Sequence, residues 1–232
     1  MDCDTYNTIY KRFLKRGSGE MLDLAGFKPG DSFLDLCCGT GRASLEVMNR
    51  GASRIVSVDQ TREKLHKHKF NFVDGEQRYF KNDYPTFYEY TVKRFLYDIK
   101  DCYDMKFDCI FCQQAVNYWM KKDSNLKETY IELIVNALTR NGRFVFNTFN
   151  KKPSELPVVK EYDLEDLHYV EVSQLIDGTV HHAQFCEGLK PDFQKFRWIS
   201  TEEFKEMLRP FFRNITIHSD GPTDIYVCSQ KK

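Results

Sequence analysis

The stretch Phe33-Leu34-Asp35-Leu36-Cys37-Cys38-Gly39-Thr40-Gly41 determines the fold class of this 232-residue chain. A short apolar run ends in an acid, two glycines spaced by one residue follow, and residues 42–47 then have the pattern of a helix. Strand, glycine turn and helix in this order form the opening unit of a nucleotide-binding α/β fold. Glycine permits the sharp turn and lets a ligand approach the backbone closely.

A second acid, Asp59, ends the next apolar run about eighteen residues after Gly41. This spacing suits a carboxylate that accepts hydrogen bonds from two neighbouring ribose hydroxyls. Gln60 follows directly and is a further candidate contact. The sequence therefore predicts a ligand with an adenosine-like end, bound by the glycine loop and by Asp59.

Composition narrows the classes of partner. Lys+Arg and Asp+Glu both number 34, and this zero net charge argues against an extensive nucleic-acid surface. No signal peptide and no membrane-spanning run is visible, so we expect a cytoplasmic protein with no membrane partner, monomeric or homodimeric. Cys109 and Cys112 have metal-ligand spacing, but they lie three apart on a predicted strand, where their sulfurs diverge. We therefore expect reduced thiols and no metal.

The pattern along the chain predicts an α/β fold. We expect a doubly wound, seven-stranded, mostly parallel sheet with a C-terminal antiparallel hairpin and a small antiparallel β insertion. Residues 1–150 and 200–232 form the core, and residues 151–199 form a lid, in which Asp177-Gly178 marks a hairpin. The predicted helices are 5–16, 20–25, 41–49, 60–70 and 124–139, with another beginning at Ser200. The predicted sheet strands are 32–37, 54–59, 90–98, 107–112, 143–149, 213–218 and 224–229, and the insertion strands are 158–163, 167–176, 179–187 and 193–199.

Two ligand classes compete for the glycine loop. A nicotinamide dinucleotide site has a third glycine where this chain has Ser44. The pattern D-x-x-x-G-x-G instead resembles motif I of class I S-adenosylmethionine-dependent methyltransferases of the small-molecule, Rossmann-like type. The family usually has Gly or Ala at the position of Cys37. Segments 98–99, 107–113, 138–143 and 197–203 also resemble the family, so the resemblance covers roughly residues 30 to 230.

The resemblance implies an S-adenosylmethionine site. Asp59 matches the ribose-binding acid, and Asp98-Ile99 matches the pair that meets adenine at the end of the third strand. Asp35 either hydrogen-bonds its own loop or reaches the ligand's amino group. Gln113 follows the fourth strand at the ligand edge of the sheet, near the methionine part. The expected cofactor contacts are Tyr10, Arg16, Asp35, Cys37, Gly39, Gly41, Asp59, Gln60, Asp98, Ile99 and Gln113.

The resemblance further implies methyl transfer from S-adenosylmethionine to a small-molecule acceptor. A DNA acceptor is disfavoured because no D/N-P-P-Y/F motif follows the fourth strand and no recognition domain is appended, whereas a protein acceptor stays open. Tyr118, Trp119 and Asn147 are the expected substrate contacts, and the sequence identifies no catalytic base. Two other classes also stay open: a catalytically silent cofactor-binding module and, least favoured, an NAD(P)-dependent oxidoreductase.

Overall fold

Most apolar runs of the sequence form strands in the computed structural model, which describes residues 17–66, 86–103, 105–119, 126–164, 167–187, 191–220 and 223–232. The predicted helix at 5–16 lies outside the described residues. The strands are β1 Ser32–Leu36, β2 Arg54–Asp59, β3 Thr86–Glu89, β4 Phe107–Cys112, β5 Leu138–Phe149, β6 Val158–Leu164, β7 Leu167–Ile176, β8 Thr179–Cys186, β9 Asp192–Arg197, β10 Phe212–Asp220 and β11 Thr223–Lys231. The helices are α1 Ser18–Leu24, α2 Arg42–Asn49, α3 Val92–Asp98, α4 Val116–Trp119, α5 Leu126–Ala137 and α6 Thr201–Leu208, and residues 62–66 are also helical.

The main sheet has the predicted architecture. Within the described residues its strand order is β10-β11-β5-β4-β1-β2-β3. β1 pairs in parallel with both β2 and β4, and β3 and β5 extend the parallel part on either side. β11 pairs antiparallel with β5, and β10, the first strand of the C-terminal hairpin, forms the edge of the sheet. The predicted fold class is therefore confirmed.

Alternate residues of a strand face opposite sides of the sheet, so the buried strands present apolar side chains on both faces. Helices pack on both of these faces. On one face Leu34 belongs to a core cluster that includes Phe95 of α3 and Phe204 of α6. On the other face Phe33 belongs to a cluster that includes Met21 of α1 and Val47 of α2. No helix in the described part of the chain is long and apolar enough to cross a membrane.

The two cysteines with metal-ligand spacing lie in different clusters. Cys109 packs in the cluster beneath α1 and α2, whereas Cys112 packs in the cluster on the opposite face. Burial raises the pKa of both thiols. Their sulfurs thus diverge as predicted from the strand, and both behave as small apolar side chains.

The insertion forms a separate antiparallel sheet in the order β6-β7-β8-β9. Asp177 and Gly178 connect β7 to β8 with φ values of 48° and 73°. Two consecutive residues with positive φ are typical of the type I′ hairpin turn, which fits the predicted hairpin. Leu175, Val180 and Phe196 form a small core on one face of this sheet.

One strand prediction is wrong. Residues 92–98 form α3 instead of a strand, and the third parallel strand is β3, at Thr86–Glu89. Thr91 caps this helix by accepting a hydrogen bond from the Arg94 backbone N–H at 3.3 Å. Val92, Phe95, Leu96 and Ile99 are buried at the i, i+3, i+4, i+7 spacing of an amphipathic helix.

β5 starts at Leu138, earlier than the predicted strand at 143–149, so Asn141 and Gly142 lie inside it. Leu138 pairs with Phe107 and Arg143 pairs with Cys109, so the register shifts and β5 bulges against β4. At Gly142 an added Cβ would lie 2.8 Å from the carbonyl oxygen of Phe107. Gly142 therefore allows a close backbone approach at the base of the sheet.

We predict that Gly142→Ala lowers the free energy of unfolding by about 1–3 kcal/mol, because the new Cβ overlaps a backbone atom. Gly17→Ala is the matched control, since an added Cβ at Gly17 would have its nearest neighbour at 3.9 Å. Chemical denaturation of both variants measures the difference. Equal stabilities would show that the bulge relaxes without cost.

Candidate functional site

The C-terminal ends of β1, β2, β4 and β5 meet at one edge of the main sheet because these strands are parallel. In open α/β sheets this edge holds the ligand. The loop at 37–41 leaves β1 there, and Asp59 ends β2 there. Gln113 and Gln114 follow β4, and Asn147 lies near the end of β5.

The loop at 37–41 has an unusual backbone. Cys37, Gly39 and Gly41 have φ values of 56°, 56° and 83°. Glycine adopts this left-handed region without steric cost, whereas Cys37 carries strain of about 1 kcal/mol or more. A cleft of about 380 Å³, here called the loop cleft, is lined by residues between 35 and 43 and by Gln113 and Gln114.

Asp59 holds the glycine loop against the end of β2. Its Oδ2 accepts a hydrogen bond from the Gly39 backbone N–H at 2.9 Å, and its Oδ1 accepts one from the Thr61 backbone N–H at 2.8 Å. The residue is buried, with 7% of its surface exposed. Each carboxylate oxygen has a second lone pair, so Asp59 retains acceptor capacity for a ligand. Gln60, beside it, is exposed.

Asp35 is buried beneath the loop and lines the loop cleft. The Ser44 hydroxyl donates to its Oδ2 at 2.6 Å and also lies 2.9 Å from the Ser57 hydroxyl. Burial is the main cause that raises the pKa of Asp35 to about 7, and the charge of Asp59 adds to it against the Ser44 hydrogen bond. Of the two roles left open by the sequence, hydrogen bonding to the local structure is present, and contact with a ligand stays a prediction.

Two further predicted residues lie against the loop cleft. Ser18 of α1 donates to the side-chain oxygen of Gln113 at 2.9 Å, which places Gln113 between α1 and the loop. The indole N–H of Trp119 donates to the Cys37 sulfur at 3.3 Å. Trp119, predicted as a substrate contact, is thus tied to the loop that starts the cofactor site.

A second cleft, of about 260 Å³, adjoins the first and is here called the insertion cleft. Gln114 lines both clefts, and no other described residue does. The predicted substrate contacts Tyr118 and Asn147 line the insertion cleft. The full lining is Gln114, Asn117, Tyr118, Asn147, Thr148, Phe149, Phe196 and Thr223.

Phe196 of the insertion forms the apolar wall of this cleft. Its ring packs edge-on against Tyr118 at a centroid distance of 5.3 Å and stacks on Phe149 at 6.0 Å. The Tyr118 hydroxyl donates to the side-chain oxygen of Gln194 on β9. The insertion sheet is therefore in contact with α4 and with the end of β5 around the cleft.

One buried carboxylate anchors both ends of the insertion. Asp224 of β11 accepts a hydrogen bond from the Asn150 amide at 3.2 Å, just after β5. It also accepts one from the Thr201 hydroxyl at 2.7 Å, at the start of α6, and one from the Ser219 hydroxyl at 2.6 Å. Because Asn150 and Thr201 flank the insertion, Asp224 fixes where the insertion sheet leaves and rejoins the core.

Asp98 and Ile99 do not lie at a strand end. They belong to the helical stretch that runs from the end of β3 back toward the start of β4, and neither lines the loop cleft. Asp98 is 3.9 Å from Arg94, and Ile99 is buried in the core. The predicted placement of Asp98-Ile99 at the end of the third strand is therefore wrong. Glu89 takes the strand-end position, since it pairs in register with Asp59.

Other expectations have mixed outcomes. Tyr10 and Arg16 lie outside the described residues, so their roles stay predictions. Sequence reasoning missed Gln114 and Phe196. Gln114 had a local signal, because it follows β4 at the ligand edge, whereas Phe196 reaches the cleft only through the packing of the insertion.

Comparison with known proteins identifies the class. A family model described as "Methyltransferase domain" matches residues 27–209. This match covers most of the chain, so the chain belongs to the methyltransferase domain family. Comparison with curated protein sequences gives no match. The predicted methyltransferase family is confirmed.

Solved structures are similar over nearly the whole chain. An S-adenosylmethionine-dependent methyltransferase from Clostridium acetobutylicum has a TM-score of 0.73 and 19% identity, with 99% of both chains covered. DesVI from Streptomyces venezuelae has a TM-score of 0.70 and 15% identity, with 97% of both chains covered. CalS10, an amino pentose methyltransferase from Micromonospora echinaspora solved with S-adenosylmethionine bound, has a TM-score of 0.70 and 11% identity, with 97% of both covered. The structural similarity establishes a shared fold, and at identities this low it establishes the fold alone.

The pKa of Asp35 predicts a pH dependence of stability. Its carboxyl is protonated in the folded chain up to about pH 7, whereas it ionises near pH 3.9 in the unfolded chain. The folded state therefore binds more protons between these values, and this group lowers stability as the pH rises through that window. We expect the stability gain from Asp35→Asn to be about 2–3 kcal/mol larger at pH 8 than at pH 5. Chemical denaturation of the wild type and the variant at both pH values measures this gain. A gain that is equal at pH 5 and pH 8 would contradict the prediction.

Proposed function

We propose that this methyltransferase transfers a methyl group from S-adenosylmethionine in the loop cleft to a small-molecule acceptor in the insertion cleft. The observation that carries the proposal is that the two clefts adjoin at the C-terminal edge of the sheet, with Gln114 in both linings. A transfer reaction needs two ligands side by side with their reacting atoms in line. This arrangement provides that placement.

The loop cleft fits the cofactor. Gly39 and Gly41 leave the backbone open to a close ligand, and Asp59 has acceptor capacity for ribose hydroxyls beside them. Asp35 lies in the same cleft with its pKa near neutrality, so a cationic amino group nearby would hold it in the ionised form. S-adenosylmethionine supplies a methyl group already activated on a sulfonium, which the lone pair of an acceptor atom attacks.

The residues of the chain then orient the ligands and exclude water. The buried hydrogen bonds of Asp59 keep the loop fixed, so the cofactor side needs no rearrangement. Phe196 and Phe149 provide an apolar wall that keeps water from the acceptor side. A base is required only for an acceptor that must lose a proton before it attacks.

Two observations support a small acceptor. The insertion sheet lies over the insertion cleft. CalS10, which has the same fold, acts on an amino pentose. The zero net charge of the chain separately disfavours a nucleic-acid acceptor. We therefore propose that residues 151–199 are a lid that selects the acceptor.

We also propose a cytoplasmic location. Cys109, Cys112 and Cys228 are buried free thiols, and reducing compartments preserve such thiols. The oligomeric state, monomer or homodimer, stays a prediction.

The first test concerns the cofactor. Asp59→Ala should weaken binding of S-adenosylhomocysteine by about 1.5–3 kcal/mol, because the ribose loses a charged acceptor and the loop loses its anchor. Asp98→Ala is the matched control, since this half-exposed acid lies on α3 and does not line the loop cleft, and its effect should stay within about 0.5 kcal/mol. Titration calorimetry measures both. An equal loss of S-adenosylhomocysteine affinity in both variants would show that the cofactor does not bind in the loop cleft.

The second test concerns the lid. Phe196→Ala should lower kcat/KM for methyl transfer by about 10- to 100-fold, because a Phe side chain contributes about 1.5–3 kcal/mol of apolar contact. Phe193→Ala is the control, since Phe193 is 70% exposed on the opposite face of the same strand. Radiolabelled S-adenosylmethionine and a panel of amino sugars provide the assay. Binding of S-adenosylhomocysteine should be unchanged in both variants, and a matching loss in Phe193→Ala would refute the lid.

A further inference from the structure

Gln114 has a conformation that its residue type rarely adopts. Its φ is 56°, in the left-handed region, where a side chain crowds the following carbonyl. Glycine would take this turn without strain, because it has no Cβ. A turn between β4 and α4 would therefore be less strained with glycine than with glutamine at this position.

Asn147 holds this conformation in place. The Gln114 backbone N–H donates to the Asn147 Oδ1 at 2.7 Å. Asn147 is 3% exposed and lies on β5, where it pairs in register with Ile225 of β11. A buried amide on a paired strand is a rigid acceptor, so the direction of the Gln114 backbone is fixed by the sheet.

Gln114 lies at the boundary between the two clefts. Gln114 belongs to the lining of both the loop cleft and the insertion cleft. Its neighbour Gln113 is engaged by Ser18 on the loop-cleft side. A side-chain amide carries two donors and an acceptor, so it can contact an acceptor molecule and the cofactor at once.

We infer that Gln114 is the residue that aligns the acceptor with the methyl group, and that Asn147 is the positioning residue that holds Gln114 in its left-handed conformation. This inference rests on the proposed function, because it assigns the cofactor and the acceptor to the two clefts. The transfer itself forms a bond from the acceptor atom to the methyl carbon. The sulfur keeps the electron pair of the broken bond, and any proton displaced from the acceptor leaves to water.

The test is a cycle of variants at both positions. Gln114→Gly keeps the left-handed turn without strain and removes the side chain, whereas Gln114→Asn keeps an amide and tolerates this region but is one methylene shorter. Asn147→Leu removes the hydrogen-bond acceptor at similar volume. Each single variant and the double variant Gln114→Gly with Asn147→Leu are assayed for kcat, KM, S-adenosylhomocysteine affinity and melting temperature, with radiolabelled S-adenosylmethionine and the amino-sugar panel.

We expect Gln114→Gly and Gln114→Asn to lower kcat by about 10- to 100-fold while S-adenosylhomocysteine affinity changes by less than about threefold. Asn147→Leu should lower kcat by a similar factor, and it should cause no further loss of kcat in the Gln114→Gly background. A purely structural Asn147 would lower the melting temperature in both backgrounds and leave kcat unchanged. Full kcat in Gln114→Gly, or independent losses in the double variant, would overturn the inference.

A second readout separates this inference from the proposed function. If the wild-type protein methylates no member of the panel, the choice of acceptor class fails, and a crystal structure with S-adenosylhomocysteine decides the role of Gln114. Contact between the Gln114 side chain and the ligand's sulfur end supports the inference. A side chain turned away from both the sulfur and the insertion cleft overturns it.

Discussion

Parallel pairing of β1 with both β2 and β4 is the constraint on which the rest of the structure depends. Parallel strands all end at the same edge of the sheet, so the chain must turn sharply after each of them to enter the next helix. The residues with positive φ at that edge, Cys37, Gly39, Gly41 and Gln114, are the turns this demands. Backbone strain and the proposed ligand contacts therefore fall on the same few residues.

Two buried side chains stabilise this strained edge. Asp59 accepts the Gly39 N–H, and Asn147 accepts the Gln114 N–H. An unpaired buried N–H costs about 1–3 kcal/mol, so each acceptor supports a backbone that would otherwise rearrange. Asp35 lies in the same cleft, where burial and the nearby negative charge of Asp59 raise its pKa although the Ser44 hydroxyl donates a hydrogen bond to it. The polar groups of the loop cleft thus hold the loop in place at the position proposed for the cofactor.

Local pattern was enough to predict most of the fold, and its failures have physical causes. The bounds of β2 and β4 match the predicted 54–59 and 107–112, because a short apolar run between turn residues has few alternatives. The predicted strand at 90–98 is wrong because the apolar spacing of residues 92–99 and the Thr91 cap favour a helix. That error displaced the strand-three acid from Glu89 to Asp98. Phe196 was missed because only long-range packing brings β9 to the end of β5.

The C-terminal hairpin has a larger role than completing the sheet. β11 pairs with the end of β5, which aligns Thr223 with Phe149 and Ile225 with Asn147 along the insertion cleft. Asp224, between them, accepts hydrogen bonds from Asn150 and Thr201, the two ends of the insertion. The insertion cleft thus depends on the hairpin and on the insertion that it anchors, whereas the loop cleft is formed at the ends of the parallel strands β1 and β4. Because Gln114 lies where the two clefts meet, the proposed function lets changes in the insertion alter the choice of acceptor without disturbing the loop proposed to hold the cofactor.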